Sequence, residues 1–471
     1  MDTRQFYING AWRAPVMPND LAVIDPSTEE ICGTISLAGT ADVHAAVAAA
    51  RAAFPSWSTA PVADRIGVLE RLTGLYQAHQ NEISKAMTAE MGAPVDYSAN
   101  TQFDAGRVHL EETLRVLKEF RFEEIRGKDR IFREAGGVCA LITPWNWPMN
   151  QVILKVAPAL AAGCTMVLKP SEIAPLSSII FANLVHQAGC PAGVFNMVNG
   201  DGAGTGAALT THRDVDMISF TGSTRAACLI SRAAADSVKR VALELGGKGA
   251  NLIFDDATDD AVERGVLHCF ENAGQSCDAP TRMLVQRGRY DSAVAEAARI
   301  AENHPCASAH QSGDHMGPLV SDTHRDKVQR LIRAGIAEGA RLVAGGPGHP
   351  DGLDRGYFVK PTVFADVNNG MVIAREEVFG PVLSILPFDT EQEAIAIAND
   401  TPYGLGNYIQ TRDRGRAARV ARALRSGSVS INGAVAGVDM PFGGYKRSGI
   451  GREGSVFGLE AFLEIKAVCG A

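Results

Sequence analysis

The sequence predicts an α/β protein built on parallel, doubly wound sheets, and three observations carry that reading. Helical patterns alternate with short apolar strands, the strands end in glycine-bearing turns that lead straight into helices, and 471 residues exceed what a single compact core organises. Two or three domains follow from the length. Hydrophobic residues at 46% and charged residues at 21% describe an ordinary globular chain, so no segment needs to be set aside as disordered.

The N-terminal stretch MDTRQFYINGAWRAP has no apolar core of signal-peptide length, and no run of about 18 apolar residues follows that would span a bilayer. A cytoplasmic protein without a membrane partner is expected. Thr40 is expected to cap a helix whose apolar face is Val43, Val47, Ala50 and Phe54, spaced i, i+4, i+7 and i+11. FRFEEIR and RIFREA around GKD read as a hairpin with a glycine-containing turn, and so small a sheet wants a partner. AALAAGCTMVLKPSE passes from helix through glycine into a strand over 165–168, and DVDMISFTGSTRAACLISRAAA passes from strand into helix. MLVQ, PTVFADV and GPVLSILPF repeat the strand signal between helical stretches over 325–338 and 391–399. No internal repeat or long linker appears, so the domains pack directly on each other.

The formal charge of −8 opposes a nucleic-acid or anionic-membrane partner, which needs a clustered basic surface. The densest basic stretch, FRFEEIRGKDRIFRE, is interleaved with acids. Nine cysteines, an odd number without close pairs, fit a reducing compartment. Neither C-x-x-C nor H-E-x-x-H occurs, so no metal site is expected.

In doubly wound sheets, ligands sit beyond the carboxyl ends of strands, where a turn into a helix offers backbone N–H groups to an anion. SFTGST fits that arrangement: Gly222 permits close approach, and Ser223 or Thr224 can cap the helix and bond a phosphate. NGDGAGTGAAL places glycines at 200, 202, 204 and 206, which is not the G-x-G-x-x-G spacing. VLKPSE adds Lys169 and Glu172 just past a strand. They are either a solvated pair or a ribose site, in which the acid accepts from the sugar hydroxyls and favours NAD over its 2′-phosphorylated relative.

ENAGQSCDAP holds the candidate nucleophile. The preceding helix carries Val262, Val266, Cys269 and Phe270 on one side, so Cys269 is structural by spacing, whereas Cys277 lies past Asn272 and Gly274 and off that face. A free cysteine is commonly an inert small hydrophobe; as a nucleophile it needs a polar, partly exposed site with N–H donors or a base. Glu244, in ALELGGKG, is either flipped to solvent or buried with the raised pKa of a general base. Asn146, in TPWNWPMN, is a turn residue or an amide that helps to hold an oxyanion.

TPWNWP, GCTMVLKPSE, FTGST, LELGGK, GQSC, EEVFGPV and PFGGYKRSGIGRE stand in one order along essentially the whole chain, and in that order the chain resembles the aldehyde dehydrogenase superfamily. The resemblance implies oxidation of an aldehyde to a carboxylic acid with NAD, or NADP, as hydride acceptor. It casts Cys277 as nucleophile, Asn146 with the Cys277 N–H as oxyanion donors, and Glu244 as the base that activates water. It places Lys169 and Glu172 at the adenosine ribose, Gly222 and Ser223 at the pyrophosphate, Glu377 and Phe379 at the nicotinamide ribose, and Trp145 near the cofactor. Glu244 favours water over coenzyme A as acyl acceptor, since acylating relatives lack that glutamate. Rival readings are a semialdehyde-specific or acylating member, and a crystallin-like structural protein.

The resemblance also implies an architecture: two doubly wound Rossmann-like domains plus a β-hairpin oligomerisation element. Residues 1–114 and 137–245 would bind the cofactor, 246–447 would form the catalytic domain, and 115–136 with 448–471 would build a homodimer or homotetramer. Trp147, Asn150, Gln151, Leu154, Ser276 and Asp278 would face the aldehyde, a mixture that suits an aromatic or polar-tailed substrate. Asp278 and Ala227 depart from the usual pattern. Asp278 either raises the thiol pKa, meets a polar tail or points away; Ala227 implies altered packing.

Overall fold

The computed structural model describes residues 2–470. In an eight-stranded sheet, Val138–Ile142, Thr165–Lys169, Phe195–Met197, Met217–Gly222 and Arg240–Leu245 run parallel. A hairpin of Phe6–Ile8 and Ala11–Arg13 closes one edge antiparallel, and Gly449–Ile450 closes the other. The order reverses at Val138–Ile142: the next two strands extend to one side, and Met217–Gly222 with Arg240–Leu245 extend to the other. A doubly wound sheet opens its ligand crevice there, beyond the carboxyl ends. Val138–Ile142 and Thr165–Lys169 are buried along their full length, as strands covered on both faces must be.

The second sheet has seven strands. Thr362–Ala365, Val382–Phe388, Arg282–Gln286, Ala250–Ile253, Gly406–Gln410 and Ser428–Ile431 are parallel, with Arg341–Ala344 antiparallel at one edge. The chain passes from the carboxyl end of Arg240–Leu245 to the amino end of Ala250–Ile253 through Gly246, Gly247, Lys248 and Gly249. The carboxyl edge of one sheet therefore meets the amino edge of the other, and the segments with chemistry converge at that seam.

Local chemistry moves several expected boundaries. Helix Thr40–Ser58 is capped by Gly39 rather than Thr40, because Asp42 accepts from the Gly39 N–H at 3.0 Å and from the Val16 N–H at 2.9 Å. Val43, Val47 and Ala50 are fully buried, and Phe54 is half-buried. The helix expected from 325 begins at Asp322, since Ser321 Oγ accepts from the His324 N–H at 3.2 Å. The hairpin is Glu123–Arg126 and Asp129–Ala135 around Gly127 at φ +64°, and Leu463–Val468 adds a third antiparallel strand. Ala227, in the place of a glycine, is buried against the first sheet's core. No helix among the described residues is long and apolar enough to cross a membrane.

Candidate active site at the seam of the two sheets

Asn272, Ala273 and Gly274 hold φ of 51°, 55° and 70°, three successive left-handed residues directly before the Cys277 segment. Such strain persists only where surrounding bonds over-determine it. Here Gln102 Nε2 donates to the Asn146 carbonyl at 3.0 Å and to Asn272 Oδ1 at 3.2 Å, while Asn272 Nδ2 donates to the same carbonyl at 3.0 Å. Gln275 Oε1 accepts from the Val320 N–H at 3.0 Å, and Gln275 Nε2 donates to the Asn272 carbonyl at 3.1 Å. Asn146 Nδ2 donates to the Gln275 carbonyl at 2.9 Å, and Trp147 Nε1 donates to Ser276 Oγ at 3.0 Å. The loop is thereby tied to the start of helix Pro148–Ala162, whose first turn Pro148 fixes.

The Cys277 N–H bonds no other residue among those described. An amide NH₂ has two protons, so one on Asn146 also remains uncommitted after Gln275 is satisfied. The Cys277 residue is partly exposed, yet burial, followed by the charges of Asp278, Glu377 and Glu244, pushes its thiol well above its ordinary value. The thiol is held protonated, contrary to the thiolate-favouring surroundings that the nucleophile role asks for. Of the three roles open to Asp278, its charge contributes to the first, a raised thiol pKa.

Glu244 is buried at 3% exposure, which removes the solvent-facing alternative. It lies on Arg240–Leu245, opposite Thr221 and Gly449, and its Oε2 has no hydrogen-bond partner. Burial first, then the Glu453 charge, raises its pKa well above the carboxylate range, against the opposing pull of Lys155 and Arg452. Lys155 and Glu453 form a buried ion pair beside it. The two glycines that follow are sterically required: a Cβ on Gly246 would collide with the Glu377 carboxylate, and one on Gly247 with the Cys277 carbonyl. Gly247 N–H donates to Glu377 Oε1 at 2.9 Å, and Glu377 is itself raised by burial.

A cleft of ≈ 890 Å³ opens over Trp145 and Glu172. Lys169 is 3% exposed and its Nζ lies 3.1 Å from Glu172 Oε2, so the lysine is buried structure and the pair is not simply a solvated one. Ser223 caps helix Thr224–Ala235, its Oγ accepting from the Ala226 N–H at 3.2 Å. Phe379 stands at φ +60°, where a non-glycine residue is strained. His324 Nε2 bonds its carbonyl at 2.7 Å, and the Trp145 and Phe379 rings meet edge-on at 5.5 Å. Asp201 turns the glycine-rich stretch into its own helix start by accepting from the Gly204 N–H at 2.7 Å.

Beside the strained loop lies a mouth of ≈ 490 Å³ lined by Asn272, Ala273 and Gln275 together with Tyr97, His268 and Glu271. Tyr97 OH donates to Glu271 Oε1 at 3.0 Å, and its ring meets Trp147 at 5.9 Å. Tyr408 OH donates to the Asp278 carbonyl at 2.9 Å, and its ring meets His268 at 4.9 Å.

The profile of the aldehyde dehydrogenase family matches residues 12–468. The chain belongs to that family. It is 52% identical over its full length to 3-succinoylsemialdehyde-pyridine dehydrogenase from Pseudomonas sp., covering 99% of that protein. The crystal structure of aldehyde dehydrogenase from Bartonella henselae superimposes with a TM-score of 0.98 at 54% identity, over 99% of both chains. Aldehyde dehydrogenase C from Pseudomonas syringae, in complex with NAD⁺ and octanal, gives 0.98 at 48%, over all of this chain and 97% of the other.

This aldehyde dehydrogenase is an NAD-dependent oxidoreductase that converts an aldehyde to its acid. Its cleft suits a dinucleotide on its own chemistry: Arg225 of a capped helix N-terminus and the Glu172 carboxylate beside Lys169 line it, and the sheet behind carries unpartnered Thr143 Oγ1 and Thr221 Oγ1 at the ends of neighbouring parallel strands. His324, Lys327, Tyr97 and Glu271 were not legible as site residues. Their helices or loops meet the site only in the fold, although the Ser321-x-x cap ahead of His324 marks a helix start.

Proposed function

We propose that Cys277 adds to the aldehyde carbonyl and that the resulting thioester is hydrolysed by water that Glu244 activates. The thiol gives its proton to solvent water, the sulfur forms a bond to the carbonyl carbon, and the carbonyl oxygen takes the electron pair. The free Asn146 amide proton and the Cys277 N–H hold that oxyanion; such donors carry about two to three orders of magnitude in rate. Bound NAD⁺ supplies the hydride acceptor. The thioester forms when the former carbonyl carbon gives up its hydrogen as hydride and the C=O bond is restored. Glu244 then takes a proton from water, hydroxide adds to the thioester, and collapse expels Cys277 as the leaving group with release of the acid. The observation that carries this reading is a buried carboxylate with an uncommitted oxygen close enough to Cys277 to raise its thiol.

Lys169 and Glu172 serve the adenosine ribose, Gly222 and Ser223 the pyrophosphate, and Glu377, Phe379 and Trp145 the nicotinamide end. Residues 1–114 and 137–245 form the cofactor domain, and 246–447 the catalytic one. Residues 115–136 and 448–471 make a dimer or tetramer, supported by exposed Ile125 and Ile465 on the three-stranded sheet, and the enzyme works in the cytoplasm. Sedimentation of the purified chain tests the assembly.

The substrate carries an aromatic or polar tail, because the rings of Tyr97, His268 and Phe270 line the mouth and Glu271 and Asp314 oppose a carboxylate there. Arg264, the arginine of that mouth, is engaged by Asp260 and by Gln410 at 3.0 Å. The pyridine in the name of the 52% identical relative points the same way. A panel of a pyridyl ketone aldehyde, benzaldehyde, octanal and succinic semialdehyde tests this, with NAD⁺ reduction as readout. The aromatic substrates should give the highest kcat/KM and succinic semialdehyde the lowest; preference for octanal or the acid semialdehyde contradicts the assignment.

A further inference from the structure

We propose that Arg225 receives the 2′-phosphate of NADP⁺, so that this enzyme accepts both dinucleotides despite Glu172. The inference rests on the cofactor cleft described above and concerns its adenosine end. A carboxylate at the ribose selects against a 2′-phosphate by repulsion, while a neighbouring arginine accommodates it. Both residue types line the same ≈ 890 Å³ cleft here, so the balance between them decides.

Glu172 is weakened as a repeller. Its carboxylate is engaged at 3.1 Å by Lys169, which is buried and also donates to the Pro170 carbonyl at 3.0 Å, so the lysine is locked in place opposite the acid. Arg225 is uncommitted. It is exposed, and it has no hydrogen bond or ion pair to any described residue through its side chain. It is the second residue of helix Thr224–Ala235, directly after the Ser223 cap, where the positive end of a twelve-residue helix adds to its attraction for an anion.

The rest of the wall has the same bias. Lys327 and Arg330 line the cleft and likewise lack an ion-pair partner among the described residues; Glu172 and Asp322 are the acids of the cleft lining, and Glu377 and Glu376 act on Lys327 from behind it. This is a local reversal in a chain of net charge −8. An unpaired guanidinium also offers the planar, bidentate donor geometry that a phosphate monoester takes.

Calorimetric titration with 2′,5′-ADP and with 5′-AMP tests the proposal without turnover, because the two differ only in the 2′-phosphate. In the wild type, 2′,5′-ADP should bind at least as tightly as 5′-AMP. In Arg225→Glu the ratio of the two affinities should fall by about ten- to a hundredfold, the scale of a lost charge-assisted contact, and Arg225→Lys should recover part of it. The ratio of kcat/KM for NADP⁺ over NAD⁺ should move in parallel. A wild type that discriminates against 2′,5′-ADP, or a ratio unmoved in Arg225→Glu, overturns the proposal while leaving the NAD⁺ cleft intact. Failure of 5′-AMP itself to bind would remove the cleft assignment together with it.

Discussion

Asn146 Nδ2 donates to the Gln275 carbonyl at 2.9 Å, so the amide that would hold the oxyanion is anchored to the loop that carries the nucleophile. The donor and Cys277 therefore keep a fixed separation although they stand 131 positions apart in sequence. Asn146→Ala should lower kcat/KM by about 10²–10³. It should also destabilise the fold by about 0.5–1.5 kcal/mol, because the Gln275 carbonyl loses its shorter hydrogen bond and keeps only the one from Asn272 Nδ2 at 3.3 Å. Steady-state kinetics and thermal unfolding check both; a stability loss with unchanged kcat/KM would make Asn146 purely structural.

The thiol of Cys277 and the carboxyl of Glu244 are both raised, so the reactive ionised forms of both grow as pH increases. kcat/KM should climb from neutral towards alkaline pH. After burial, Asp278 is the largest cause of the Cys277 shift, and its removal lowers the thiol pKa. In Asp278→Asn the pH dependence of iodoacetamide alkylation at Cys277 should move towards acid. A shift the other way contradicts the electrostatic account.

Burial lowers His324 to about 4, so its ring is neutral across the working range and its Nε2–H donates to the Phe379 carbonyl at 2.7 Å. That bond restrains Phe379 at its strained φ of +60° against Trp145. His324→Ala should weaken NAD⁺ binding by roughly three- to tenfold, the worth of one net hydrogen bond, as read by quenching of tryptophan fluorescence. Unchanged affinity would show that the bond does not shape the cleft.

Tyr97→Phe removes the donor that holds Glu271 at the mouth while keeping the ring. Discrimination between aromatic and carboxylate-tailed aldehydes should fall by about two- to tenfold, since the freed carboxylate no longer occupies one position. Equal losses for every aldehyde would place Tyr97 in packing alone.

The residues that broke a local pattern were legible in the sequence. Cys277 left the apolar period of the preceding helix, and Glu244 stood among leucines in a strand. The alternation of strand and helix gave the parallel sheets for the same reason, since each buried strand must read as a short apolar run. Contacts across long separations were not legible. Gln102 reaches Asn272 across 170 positions, and nothing in its own segment marks it. Thr40 looked like a cap because the competing Asp42 carboxylate acts three residues back. The protonated resting thiol was also hidden, since the charges that raise it come from Glu377 and Glu244 as well as its neighbour Asp278.

In the proposed reaction a thioester on Cys277 is released by water that Glu244 activates. Intact-protein and peptide mass spectrometry of Glu244→Gln, incubated with aldehyde and NAD⁺, tests it directly. One equivalent of reduced cofactor per active site is expected, then arrest, with the acyl mass on the peptide containing Cys277. Continued turnover at the wild-type rate, or an acyl group on any other residue, would contradict it.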